Sequence, residues 1–272
     1  MAGNTIVAPR QDSVEAMSGS GGLSVVPLRG MPMFAPGMSL AAEIEAAALA
    51  QGEAIGADDV VVVAQKIVSK AEGRLVCLGD VAPSDAARDL AAKSGREPQF
   101  AQLILDESSE ILRATPAAVI ARHRSGHVLA NAGIDASNVE GGEGDTVLLW
   151  PLDADASARA IRAGLAARPA VVVADSLGRA WRIGTVGAAI GCAGLTVLDD
   201  QRGRGQDLFG RTLQATVIAI ADAVAAMAVL AMGEGAEGTP VALVRGAGKW
   251  VCSEDGPDAA SVVRPMAEDM FR

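Results

Sequence analysis

Three stretches of the chain are apolar at every position, where an amphipathic element would be apolar at every second or third. Val60-Val61-Val62-Val63-Ala64, Ala170-Val171-Val172-Val173-Ala174 and Val241-Ala242-Leu243-Val244 are short and mostly β-branched. Unbroken runs of that kind predict strands buried on both faces. Shorter runs at 23–28, 128–130 and 147–149 predict further strands, the last two flanking a long loop. Between them the spacing predicts helices over 40–51, 84–95, 98–113, 156–167 and 207–232. Ser39 caps the first of these, with Glu43 near its start. Alternating strands and helices predict an α/β protein of mixed α and β layers. Residues 1–22 end in Ser18-Gly19-Ser20-Gly21-Gly22 and read as a disordered leader. The remainder, 23–272, reads as one domain, with room for two interlocked lobes.

Composition narrows the picture. Half of the 272 residues are hydrophobic, but only 3% are aromatic and none is Tyr, so small aliphatic side chains must fill the core. The net charge of −10 disfavours nucleic acid as a partner. No run approaches the ~18 apolar residues of a membrane helix. No signal-peptide pattern opens the chain. Cys77, Cys192 and Cys252 are widely spaced, odd in number and without a CxxC, as expected of reduced thiols in a cytoplasmic protein.

Polar segments follow the apolar strands, where α/β proteins place ligands. After the first strand come Gln65, Lys66, Lys70 and Arg74. The three basic residues recur every four positions and on one helix would form a stripe for phosphates, or equally a solvated basic face. The spacing of a P-loop is absent. Asn131-Ala132-Gly133-Ile134-Asp135-Ala136-Ser137-Asn138 offers oxygen ligands for a hard cation, or an Asx turn closing a hairpin. Asp175-Ser176-Leu177-Gly178-Arg179-Ala180-Trp181-Arg182 sets an acid beside two bases, as a nucleotide site or a helix cap would. Met232-Gly233-Glu234-Gly235-Ala236-Glu237-Gly238 closes the last long helix, as C-cap glycines or as backbone approaching a ligand. His123 and His127 lie four apart, but Ser125-Gly126 between them argues against the helix a zinc pair would use.

Together these segments resemble the coenzyme F420:L-glutamate ligase family in its stand-alone form. The resemblance is carried by Gly30-Met31-Pro32, residues 65–74, 131–139 and 175–182, Asp207-Leu208-Phe209-Gly210-Arg211, Met232-Gly233-Glu234-Gly235 and Val244-Arg245-Gly246, in that order. It implies that family's fold, an intertwined two-lobed homodimer, and a GTP-dependent ligase adding L-glutamate to coenzyme F420-0 through an acyl phosphate. It implies two divalent ions per site (Mg²⁺ or Mn²⁺) and one K⁺. By motif match, Met31, Pro32, Met33, Phe34, Gln65, Lys66, Lys70 and Asn138 would contact GTP. The segment Leu230, Ala231, Met232, Gly233, Glu234, Gly235, Ala236 and Glu237 would wrap it. Asp135 and Asp175 would hold one metal, Ser176 and Glu234 the other, with Lys70, Asp135 and Asp175 carrying the chemistry. Ser176 stands where Thr is common, which keeps the hydroxyl. A ligase for another carboxylic acid, or a nucleotide-binding regulator without turnover, are the alternatives.

Overall fold

The computed structural model describes residues 22–137 and 146–269. In chain order the elements are β1 (Ser24–Pro27), α1 (Leu40–Ala50), β2 (Val60–Ala64), α2 (Gln65–Ala71), β3 (Leu75–Cys77), α3 (Asp85–Ser94), α4 (Pro98–Glu107), β4 (Ser108–Ala114), β5 (Val119–His123), β6 (Val128–Ala130), β7 (Thr146–Leu148), α5 (Ala154–Gly164), β8 (Ala170–Gly178), β9 (Thr185–Ala193), β10 (Leu198–Asp200), β11 (Val217–Ala219), α6 (Ile220–Met232) and β12 (Val241–Arg245). The leader, apart from Gly22, and Asn138 lie outside the described residues.

The three apolar runs are neighbours in one five-stranded sheet of order β1-β12-β2-β8-β9. Alternate residues of each run feed different cores. Val61, Val63, Val171, Val173 and Leu243 pack with α1, α2 and α5. Val60, Val62, Val172, Ala242 and Val244 pack with α6. Both faces are covered, which is why these strands read as continuous apolar runs. A third core joins α3, α4, β5 and β7 in a second lobe inserted between α2 and α5. That lobe carries the sheet β4-β5-β6 and the pair β3-β7. The layered α/β class is as expected, and Ser39 does cap α1, accepting from the Ala42 amide.

Three boundaries differ from expectation. The helix expected over 98–113 stops at Glu107, and Ser108–Ala114 pairs antiparallel with β5. That segment is apolar only in part, and pairing with β5 satisfies its backbone. The helix expected over 207–232 begins only at Ile220. Residues 207–219 instead include β11, which pairs with β10. Finally, Asp175-Ser176-Leu177-Gly178 is no loop: β8 runs through it, paired with β9 as far as Gly178↔Thr185.

Sheet direction explains where the polar segments go. β2 and β8 are parallel, with Ala64 opposite Ala174, so Gln65, which opens α2, and Asp175, where β8 runs on beyond β2, stand at the same sheet edge. β12 runs antiparallel to β2, so the segment entering it arrives at that edge. β1 runs antiparallel to β12, so the segment leaving it starts there too. Four segments far apart in sequence converge through strand order alone.

Candidate functional site

A cavity of about 520 Å³ occupies this edge. Its wall includes Met31, Pro32, Met33 and Phe34 from the segment after β1, Gln65, Lys66 and Lys70 from α2, and Asp175 and Ser176 from β8. Met232, Gly233, Glu234, Gly235, Ala236 and Glu237 close it ahead of β12. Gly233 ends α6 at φ +81°, the left-handed region glycine favours, and so turns the following loop across the mouth.

Some expected residues stand elsewhere. Leu230 is 87% exposed, Ala231 is exposed beside it, and neither lines the cavity. The last turn of α6 points Val229 and Met232 inward instead. The basic stripe does not form, because α2 ends at Ala71 before Arg74 is reached. Arg74 turns away, bonding the Trp150 carbonyl at 2.8 Å and Glu107 at 2.9 Å. Lys66 and Lys70 are left as the cations of the α2 wall, and Lys70 is buried.

Asp135 comes from the second lobe. Its backbone exchanges hydrogen bonds with Leu148 at 3.0 and 2.8 Å, which pins it to the edge of β7. Its carboxylate accepts from Lys66 Nζ at 2.8 Å and from the Ser137 amide at 2.6 Å, the latter an Asx turn. Burial alone would raise the Asp135 carboxyl, but these bonds outweigh it and hold it below the usual range. Asp175 is treated differently. Burial pushes its carboxyl up to about 6, against hydrogen bonds from Trp150 and the Ser176 amide, and the nearby Asp135 charge pushes the same way. The Ser176 hydroxyl donates to Glu234 Oε2 at 3.0 Å, which ties the glycine-rich segment to β8.

These donors suit a hard divalent ion: two carboxylates, a third carboxylate and a hydroxyl, all oxygen. Lys66 already sits as a cation between the acidic groups, bonded to Asp135 and lowering Asp175. Among the described residues no three His, Cys, Asp or Glu side chains gather into one closed cage. An ion here would complete its shell with water or ligand oxygens, as Mg²⁺ commonly does. The two histidines are a separate matter. Their Nδ1 atoms share the Ser125 hydroxyl at 2.8 and 2.9 Å within a hairpin. Burial, with His123 adding, pushes His127 down to about 4, so it is neutral at pH 7.

Trp150 was not legible as a site residue in the sequence. It follows a short strand and carries no motif, yet its Nε1–H donates to Asp175 Oδ2 at 2.8 Å. Thr239 and Pro240 also line the cavity without any sequence signal.

Fold and cavity together define a layered α/β protein with a carboxylate- and lysine-lined small-molecule site at its sheet edge. The chain belongs to the F420-0:gamma-glutamyl ligase family, whose model matches residues 30–246. It is 39% identical over 255 residues to the coenzyme F420:L-glutamate ligase of Methanothermobacter thermautotrophicus, covering 92% of this chain and 99% of that one. The enzyme of the same name from Methanopyrus kandleri is 39% identical over 261 residues, covering 93% and 100%. That from Archaeoglobus fulgidus is 39% identical over 254 residues, covering 92% and 96%. The match takes in every segment that meets at the sheet edge.

Proposed function

We propose that this chain joins the amino group of L-glutamate to the terminal carboxylate of coenzyme F420-0, at the expense of GTP. One observation carries the reading. Asp175, Glu234, Lys66 and Lys70 line one cavity, and Asp135 of the second lobe is bonded to Lys66 of that wall, in a chain of the F420-0:gamma-glutamyl ligase family.

A carboxylate does not react with an amine until its oxygen becomes a leaving group. In the proposed route a carboxylate oxygen of F420-0 attacks the γ-phosphorus of GTP, and GDP leaves. The glutamate nitrogen then attacks the acyl phosphate carbon. Inorganic phosphate leaves, and the nitrogen sheds its proton as the amide forms. Such phosphoryl transfer depends on positioning and charge neutralisation more than on a protein nucleophile. Met31, Pro32, Met33 and Phe34 would cover the nucleotide, with Gln65 at its polar edge. Lys66 and Lys70 would meet phosphate oxygens, and the segment 232–237 would close over them. Asp135 and Asp175 would hold one Mg²⁺ or Mn²⁺, and Ser176 and Glu234 a second. Bound divalent ions would neutralise the phosphate charge, and a K⁺ completes the reading without an assigned ligand.

An intertwined homodimer belongs to the same proposal. Trp181 and Ile183, at the β8–β9 turn, are 89% and 102% exposed, and Leu208 and Phe209, between β10 and β11, are 101% and 84% exposed. A second copy would cover this apolar surface. Light scattering should then give about twice the chain mass of 27.5 kDa.

The direct test is GDP release by the full chain. Release should require a divalent ion, F420-0 and glutamate together, and mass spectrometry should find F420-0 heavier by a glutamyl residue. GTP binding without release would overturn the proposal in favour of a regulatory module.

A further inference from the structure

Trp150 is 2% exposed, and the second lobe grips it from several sides. Gly133 has φ +75°, and a Cβ built there would lie 2.6 Å from the indole Nε1. The rings of His123 and His127 stand 5.0 and 5.6 Å from the indole, inclined at 59° and 79°. The Trp150 carbonyl is held by Arg74, which Glu107 anchors in turn. The indole's one donor reaches out of this grip to Asp175 on the main sheet. Trp150 thus ties the lobe that carries Asp135 to the strand that carries Asp175.

We infer that Trp150 is a positioning residue for the cation site, holding the Asp175 carboxylate in a fixed orientation toward the second lobe. The inference rests on the proposed metal reading of that site. An indole N–H only donates, so it can fix a carboxylate oxygen but cannot replace a cation or compete as a ligand. With Oδ2 held by Trp150 and Oδ1 by the Ser176 amide, the carboxylate has little freedom to turn toward Lys66. The remaining lone pairs are then set in place before a metal ion arrives, which lowers the cost of ordering the site on binding. Gly133 belongs to the same device, because any side chain there would displace the indole.

Trp150→Phe keeps a packed ring and removes the N–H. In the holoenzyme assay its half-saturating Mn²⁺ concentration for turnover should rise roughly tenfold or more, the usual scale for losing an outer partner of a metal ligand. Turnover at saturating Mn²⁺ should return close to wild type, which a general packing defect would not allow. Direct titration read by the electron paramagnetic resonance of free Mn²⁺ should show the same weakening without any turnover. Gly133→Ala should shift binding in the same direction by a different route, covering the case in which Trp150→Phe does not fold. Trp250→Phe, remote from the cavity wall, should bind as wild type does. A wild-type protein that binds Mn²⁺ and a folded Trp150→Phe that binds it equally well would overturn the inference alone. A wild-type protein that binds no Mn²⁺ would overturn the metal reading and the inference with it.

Discussion

Asp135 and Asp175 are the same side chain in opposite settings. Asp175 stands on β8, paired with β9 just past the end of its pairing with β2, and its partners are two neutral N–H donors. Asp135 stands outside the strands, bridged to Leu148 of β7, and its partner is a full charge, Lys66. The strand carboxylate is rigid and under-compensated, with its carboxyl pushed up. The Asp135 carboxylate is compensated, with its carboxyl held down. The difference teaches where each half of the site gets its properties. The main sheet contributes a carboxylate whose charge is left under-compensated, and the inserted lobe contributes one already paired with a lysine.

The largest effect expected is on turnover. Replacing either acid by Asn keeps its shape but removes charge from the proposed hard-cation site. GDP release should fall by on the order of 10² or more, because metal charge stabilisation is worth several kcal/mol in phosphoryl transfer. Circular dichroism checks that the variants fold. Near-normal turnover in both at limiting metal would erase the comparison.

The second effect separates the two acids by pH. The native state raises the Asp175 carboxyl from 3.8 to about 6, so between those values the folded apo-protein holds a proton that the unfolded chain has lost. Stability should therefore fall as pH rises across that window. The change is on the order of 2 kcal/mol, after discounting for the side of Asp175 that opens to the cavity. Subtracting an Asp175→Asn denaturation series from wild type should isolate this slope. A flat difference between pH 4 and 6 would contradict it.

The smallest effect belongs to Asp135. Its lowered carboxyl contributes stability that is present above pH 3.8 and lost as pH falls further. Lys66 and Asp135 are 26% and 30% exposed at their side chains, so the pair contributes no more than about 1 kcal/mol. Asp135→Asn should cost little at pH 7, and less still in high salt. A cost of several kcal/mol would show that the pair is far stronger than a partly exposed salt bridge.

Much of this was written in the sequence, for identifiable reasons. The buried strands were legible because covering both faces leaves runs such as Val60–Ala64 no polar position. The segments that meet at the cavity were legible because each carries a family motif. The end of α4 was not legible, because Ser108–Ala114 takes its conformation from the hairpin it forms with β5, and its own partly apolar pattern carries no sign of that pairing. β10 and β11 were hidden in the same way, each three residues long and stabilised by the other. Arg74 was misplaced because a spacing of four implies one face only while the helix lasts, and α2 stops at Ala71. Trp150 was invisible because its importance lies in a single hydrogen bond to a residue 25 positions away.

The claim that both lobes hold one ion can be tested in a single measurement. Crystals grown with Mn²⁺ and a non-hydrolysable GTP analogue should give an anomalous peak at the manganese edge. The account predicts a peak with carboxylate oxygens of both Asp135 and Asp175 within roughly 2.0–2.6 Å, the range of hard-cation coordination. A peak bound to one of them alone, or with Lys66 still bonded to Asp135 beside it, would contradict the account.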